Sequence, residues 1–330
     1  MMSEGQFESP AGNAMTDPRN TWARPEQVVL ENAGPIQWCN LLFLLCSPLA
    51  CLIALPLYIS AFGLAVSDLL AMAIMIGLSG LAITAGYHRY FSHRSYECSP
   101  AVQIFYLIFG AAALQAPVLE WVADHRDHHR FVDRDGDPYS IKRGFFWAHV
   151  GWTFRRSPRK GNSSNVTDLA QDRRVRFFNR YHLLVGMVAG IGLPFLIGLC
   201  FGRPFGGVLW GSLVRVVVAH HSTFLVNSAA HCFGRQPYST QNTARDSKLV
   251  ALLTLGEGYH NFHHAFPRDF RNGVRWYQWD PTKWWIMVLR AAGLARNLYA
   301  TPSERIAMAR RRVAALAQRE RVDEMRHEAL

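Results

Sequence analysis

Fourteen histidines occur among the 330 residues, and eight of them fall in three short runs. His88 and His93 frame H-R-Y-F-S-H; His125, His128 and His129 form H-R-D-H-H; His260, His263 and His264 form H-N-F-H-H. Positions i, i+3 and i+4 of a helix share one face, so the second and third runs can each aim three imidazoles at one spot. A single histidine on an apolar helix is ordinarily a satisfied core residue. Eight partly buried rings in one place are costly without a role, because neutral rings need partners and charged rings repel. Metal binding is the chemistry that such a cluster serves.

Imidazole suits zinc, copper, iron and nickel, so ligand type alone leaves the metal open. Zinc is usually content with four ligands, or three and a water, whereas eight or nine imidazoles imply two metal ions. The zinc-protease run H-E-x-x-H and the paired Glu-x-x-His motifs of soluble di-iron bundles are both absent. A histidine-rich di-iron centre beside a membrane is the strongest remaining candidate. Helix spacing adds a ninth ligand: Thr223, Asn227 and His231 lie four apart in T-F-L-V-N-S-A-A-H and share a face. His231 therefore joins the set, with Asn227 as a weak or water-mediated tenth. His220 returns to nearly the same face, either lining a substrate path or hydrogen-bonded in the core. His149, His182, His221 and His327 join no cluster and receive no role.

The elements that must position these residues are largely apolar. Hydrophobic residues make up 50% of the chain and charged ones 18%, against about 25% charged in a typical soluble domain. Length alone suggests two domains of roughly 150 residues, but a mean hydropathy of 0.00 is what averaging membrane-embedded and polar parts gives. Glycine and proline show no period, and six cysteines are too sparse for a disulfide scaffold. Four stretches, 36–62, 64–85, 183–201 and 205–226, can each cross a bilayer, which takes about 20 helical residues. They pair as two hairpins, predicting an all-α integral membrane fold.

Lys and Arg crowd the segment between the hairpins, including Arg94, Arg126, Arg130, Arg143, Arg156, Arg159 and Lys160. The positive-inside rule then places both termini and this segment in the cytoplasm. The net charge of +11 follows from that topology and from contact with anionic headgroups, and no nucleic-acid motif accompanies it. A fifth apolar stretch, 102–119, contains Gln115 and Pro117. If it crossed the bilayer, His88 and His93 would be separated from His125, His128 and His129, so it is expected to be a re-entrant or interfacial helix. Residues 1–33 lack the apolar core of a cleavable signal peptide and are expected to be a flexible tail before one domain at 34–302. Residues 303–330 read as a basic amphipathic helix. Trp276, Trp279, Trp284 and Trp285, interleaved with Arg275 and Lys283, look like an interfacial aromatic belt.

Over roughly 34–299 the sequence resembles the membrane-bound fatty acyl desaturases, in particular the stearoyl-CoA Δ9 desaturase family. Beyond the three histidine boxes, the likeness rests on E-W-V-A-D-H-R leading into His125, G-D-P-Y at 136–139 and G-F-F-W-A-H-V-G-W at 144–152. It also rests on N-S-A-A-H at 227–231 and G-E-G-Y-H-N-F-H-H-A-F-P ending at Pro267. The resemblance implies four transmembrane helices in two hairpins and a helical cytosolic cap. It further implies two irons (Fe2+) held by His88, His93, His125, His128, His129, His231, His260, His263 and His264, with Asn227 acting through a water. Gln115 and Thr223 then fall at the bend of an acyl tunnel, and Trp121 and Asp124 at the substrate entrance. Phe224 stands where the animal enzymes have Trp, while Ala123 and Ala116 replace an Arg and an Asn near the thioester or CoA.

The implied activity is O2-dependent insertion of a cis double bond, at Δ9, into a saturated acyl chain carried as acyl-CoA. The departures leave acyl-phospholipid and acyl carrier protein as alternative carriers. A lipid or alkane hydroxylase on the same scaffold is a nearer rival, disfavoured by the box order and the N-S-A-A-H run. A non-enzymatic metal transporter is a remoter one, disfavoured by largely apolar spans. No flavin, dinucleotide or iron–sulfur motif occurs in the sequence. Electrons are therefore expected from a separate cytochrome b5, ferredoxin or rubredoxin type donor with its reductase. The excess of Arg over Lys suggests a bacterial source, hence an inner membrane.

Overall fold

The structure is a computed structural model that describes residues 34–155 and 163–328. The expected N-terminal tail, and Arg156, Arg159 and Lys160, lie outside the described residues. Four apolar helices are long enough to cross a membrane: Trp38–Phe62, Val66–Ser92, His182–Cys200 and Pro204–Cys232. At 1.5 Å per residue, the shortest spans about 28 Å. In the first, Leu45, Leu49, Leu52 and Leu57 all point outward and are more than half exposed, which suits a lipid solvent. Apart from one ladder of two-residue strands, Glu97–Cys98 with Ala295–Arg296, and three isolated bridges, the described residues are helix, turn and loop. This is the all-α integral membrane fold that the apolar pattern predicts.

The span ends differ from expectation in an informative way. The second runs to Ser92 and the fourth to Cys232, past the expected ends at 85 and 226. Hydropathy falls where polar residues begin, but the helices continue and carry His88 and His231 beyond the apolar stretch. The last eleven residues of the second span, Ala82–Ser92, are wound as a π-helix, a form that recurs at functional sites.

One contact joins the two hairpins and another closes the second of them. At their turns, Arg203 donates to Asp68 Oδ2 at 2.9 Å and to the carbonyls of Phe62 and Gly63. Between the third and fourth spans, glycine lets the backbones touch: a Cβ on Gly207 would lie 2.1 Å from the Pro194 carbonyl oxygen and 2.9 Å from Gly198 Cα. Membrane helices pack through such small residues because lipid supplies no hydrophobic drive between them.

The stretch expected as one helix over 102–119 is broken. A helix runs over Pro100–Ala112, with Ser99 Oγ accepting the Val102 amide at its start. Its 13 residues reach only about 20 Å. It stops because Leu114 turns to a φ of +55° and Pro117 follows; a new helix, Val118–Phe131, then carries the second histidine run. Buried Tyr87, Phe91, Tyr106, Leu107, Val122 and Ile286 form a core where these helices meet the end of the second span and the helix Pro281–Ala291.

The tryptophans divide. Trp276, Trp279 and Trp284 are exposed, whereas Trp285 donates to the Tyr106 hydroxyl at 3.1 Å and packs against Phe105. The C-terminal helix Ser303–Glu328 docks by its first turns: Ile306 is buried, and Arg310 donates to the Tyr238 hydroxyl at 2.7 Å. Because Gly207 meets backbone, Gly207→Val must force the third and fourth spans apart. A loss of about 1–3 kcal/mol is expected from overpacking, seen as a lower thermal midpoint in detergent; an unchanged midpoint would contradict the contact.

Candidate metal centre

Nine histidines converge in two neighbouring groups: His88, His93, His125, His129 and His263, and His128, His231, His260 and His264. Within each group the ligand nitrogens lie within 4.8 Å of one another. Contacts between Nε2 atoms measure 2.7 Å for His93 and His125, 3.0 Å for His88 and His263, and 2.9 Å for His129 and His263. In the second group they measure 3.1 Å for His231 and His260, 3.0 Å for His260 and His264, and 3.3 Å for His128 and His264. Nitrogens at about 2.1 Å from a metal ion, at right angles, stand about 3.0 Å apart. The donor set therefore fits one transition-metal ion per group.

The distribution corrects the expectation that each H-x-x-H-H run aims at a single spot. In the helix Val118–Phe131, the i and i+4 residues His125 and His129 serve the first group, while His128 serves the second. In the helix His260–Ala265 the roles reverse: His260 and His264 serve the second group and His263 the first. Each helix lies between the two groups and contributes to both. Rings from the two groups also touch: His129 and His264 stack with centroids 4.3 Å apart and planes 14° from parallel.

Burial, followed by repulsion among the neighbouring imidazoles, holds His93, His125, His129, His260, His263 and His264 well below the ordinary histidine range. These rings are neutral near pH 7, the state in which a nitrogen lone pair can bind a metal. Three outer nitrogens are oriented from behind. His88 Nδ1 donates to Glu257 Oε2 at 2.8 Å, and His128 Nδ1 to Asp137 Oδ1 at 2.9 Å. Thr243 gives its hydroxyl hydrogen to Asp133 Oδ1 at 2.8 Å, so its oxygen accepts from His231 Nδ1 at 2.8 Å. Each bond places the proton on Nδ1 and turns the Nε2 lone pair toward the group.

Glu257 is itself held. It accepts from Arg89 at 2.9 Å and Asn272 at 2.8 Å, and Arg89 also donates to Asp280 at 2.9 Å. Burial alone would raise the Glu257 carboxyl, but His88 and Arg89 keep it below its ordinary range. Sequence reasoning missed Glu257, Asp137, Asp133, Thr243 and Asp280. Asp137 and Glu257 sit in the G-D-P-Y and G-E-G-Y runs, whose acidic residues beside histidine runs were the available signal.

A cavity of about 730 Å3 adjoins the centre and is lined by His88 and His125 of the first group and His128 and His260 of the second. Gln115, Trp121, Asp124, Thr223, Phe224 and Asn227 also line it. Trp121 Nε1 donates to Gln115 Oε1 at 2.9 Å, and Gln115 Nε2 donates to Thr223 Oγ1 at 2.8 Å. The Trp121 ring stacks on His125 with centroids 5.3 Å apart. His220 does both things considered for it, lining the cavity and donating from Nε2 to the Ala113 carbonyl at 2.9 Å. His149 and His221, given no role, pair at 3.0 Å, with His149 Nδ1 donating to Ser228 Oγ at 2.9 Å.

Fold and site define an integral membrane protein with paired all-histidine sites suited to transition metals, beside a largely apolar cavity. The fatty acid desaturase family model matches residues 65–298, and the chain belongs to that family. It is 46% identical over 235 residues to the probable acyl-CoA desaturase of Schizosaccharomyces pombe, covering 71% of this chain and 49% of that protein. It is 39% identical over 245 residues to acyl-CoA desaturase 1 of Saccharomyces cerevisiae, covering 74% and 47%. With the sn-1 stearoyl-lipid 9-desaturase of Anabaena variabilis the identity is 36% over 265 residues, covering 80% and 94%. The chain thus spans about half the length of the two yeast relatives.

The carboxylate behind His128 gives a test. Asp137→Asn should weaken metal binding at the second group by about 10–100-fold while leaving the first group loaded. Chelator competition on the purified protein would then show one of two metal equivalents released early; two equivalents held as in the wild type would contradict the orienting role.

Proposed function

We propose that the chain is an O2-dependent fatty acyl desaturase that inserts a cis double bond, at Δ9, into a saturated acyl chain. The observation that carries this reading is the cavity wall, to which both histidine groups contribute. An extended chain lying there passes both metal sites at once. The nine histidines of the two groups would hold two irons, with Asn227 acting through a water; when bound, the irons supply the reduction of O2 that makes C–H cleavage at an unactivated methylene feasible.

The chain's own residues supply position. Phe43, Ile76 and Ile83 give one part of the cavity an apolar lining that excludes water and accepts methylenes. Gln115, Thr223 and Trp121, joined by hydrogen bonds, form a rigid wall against which the chain bends, and orientation of this kind contributes much of the rate in positioned reactions. Phe224 narrows the same wall, and Asp124 flanks the opening. Elsewhere the lining turns polar, with Gln37, Asn40, Arg143 and Arg155. Cations there suit the phosphates of acyl-CoA, the preferred carrier, and equally those of a phospholipid; acyl carrier protein completes the alternatives.

The domain is 34–302, with 102–119 entering the membrane surface without crossing and 303–330 lying on the cytoplasmic side. Both termini and the active site face the cytoplasm of a bacterial inner membrane, as the Lys and Arg distribution supports. Electrons come from a separate cytochrome b5, ferredoxin or rubredoxin type protein. Expression in a host lacking unsaturated fatty acids but supplied with a competent donor should yield a new monoene by gas chromatography, with His263→Ala abolishing it. Unchanged lipids from the wild-type chain would contradict the reading.

A further inference from the structure

Arg215 lies within the fourth span with no exposed surface, and among the described residues it meets no carboxylate. Its guanidinium donates instead to three carbonyls, those of Ala112 at 2.7 Å, Gly211 at 3.2 Å and Gly190 at 3.4 Å. Ala112 closes the helix Pro100–Ala112, where carbonyls lack intrahelical partners and a cation is favoured. An ionised side chain buried among spans is costly and marks a function. Farther along the same helix, His220 Nε2 donates to the Ala113 carbonyl at 2.9 Å, and Thr223 Oγ1 accepts from Gln115 at 2.8 Å. Residues 215, 220 and 223 of one helix thus grip residues 112, 113 and 115 of one turn.

That turn is strained and borders the cavity. Leu114 has a φ of +55°, a conformation that a leucine adopts at a cost. Ala113, Leu114, Gln115 and Ala116 all line the cavity, and the chain passes directly from them into the helix bearing His125, His128 and His129. A wall held in a disfavoured conformation relaxes unless it is tied from outside. Thr223 ties it at a side chain that faces the cavity, whereas Arg215 and His220 tie its backbone.

We propose that Arg215 and His220 are positioning residues that decide which methylene of the acyl chain stands at the histidine centre, by pinning the backbone of the turn at 113–116. This rests on the desaturase reading above. Arg215 acts through the Ala112 carbonyl and His220 through the Ala113 carbonyl. Misplacement by about 1 Å can change a positioned reaction about 100-fold, so a loosened wall moves the site of reaction along the chain as well as slowing it.

The test compares wild type with His220→Leu, His220→Gln and Arg215→Lys. Leucine removes the donor to Ala113 together with Nδ1, a buried atom that has no partner, which limits the cost to folding; glutamine keeps a donor. Lysine keeps the buried charge but cannot reach all three carbonyls. Two readouts are taken: double-bond position in the product, and amide hydrogen exchange of residues 114–116 in the purified protein.

His220→Leu and Arg215→Lys should raise the share of a displaced positional isomer and speed exchange of the turn, each by roughly tenfold for one lost buried hydrogen bond. His220→Gln should match wild type in both. Wild-type isomer distribution and wild-type exchange in the leucine and lysine variants would overturn the proposal, as would slower turnover with no change in product position. A variant that fails to accumulate leaves the other to decide. If wild type makes no monoene, the desaturase reading fails, and the exchange data alone still show whether the ties hold the turn.

Discussion

The 3.0 Å approach of His88 and His263 joins residues 175 positions apart, and the arrangement of the cap follows from the need to make it. Each ring must be aimed at a point shared with rings from other helices, and His88, His128 and His231 are held there by bonds to their outer nitrogens. Four polypeptide segments meet that demand: the end of the second span, the helix Val118–Phe131, the end of the fourth span and the helix His260–Ala265. None of them can move independently. A shift of the fourth span would withdraw His231 from one group and, through the contacts of Thr223, His220 and Arg215, disturb the turn that leads to the ligands of both.

Low dielectric strengthens this arrangement and constrains it. Buried charges need partners at close range, and the cap provides them in a chain: His88 to Glu257, Glu257 to Arg89 and Asn272, Arg89 to Asp280. Asp280 also accepts the amides of Asn272, Gly273 and Lys283, which fixes the start of the helix Pro281–Ala291. The exposed Trp276, Trp279 and Trp284 flank or lie on the same segment, so the aromatic surface outside the cap is mechanically continuous with the first histidine group. The exposed aromatic surface and the metal-facing elements are therefore parts of one structure.

Much of this was legible in the residues. The histidine runs, their order between two apolar hairpins, and the three-residue set Thr223, Asn227 and His231 identify the site and its elements, because periodicity and metal-ligand chemistry are local properties. The sharing of each run between two groups was not legible: the faces of His125 and His128, three residues apart, differ by only about 60°, and which face meets which partner depends on packing across the cap. The break at Leu114 escaped because apolar composition continues through it, while the deciding quantity is a single positive φ. Trp285 reads as interfacial by type and spacing, yet Phe105 and Tyr106 draw it inward. Glu257 and Asp137 stand beside histidine runs in G-E-G-Y and G-D-P-Y, which marks them as candidates; which ring each one orients appears only when the rings are in place.

Under the proposed function each of the two histidine groups holds one iron. Diffraction data collected from crystals of the metal-loaded protein at the iron absorption edge test it directly. Two anomalous peaks per chain are expected, one about 2.1 Å from the converging nitrogens of the five-histidine group and one equally close to those of the four-histidine group. A single peak shared between the groups, or iron bound elsewhere while both groups stay empty, would contradict it.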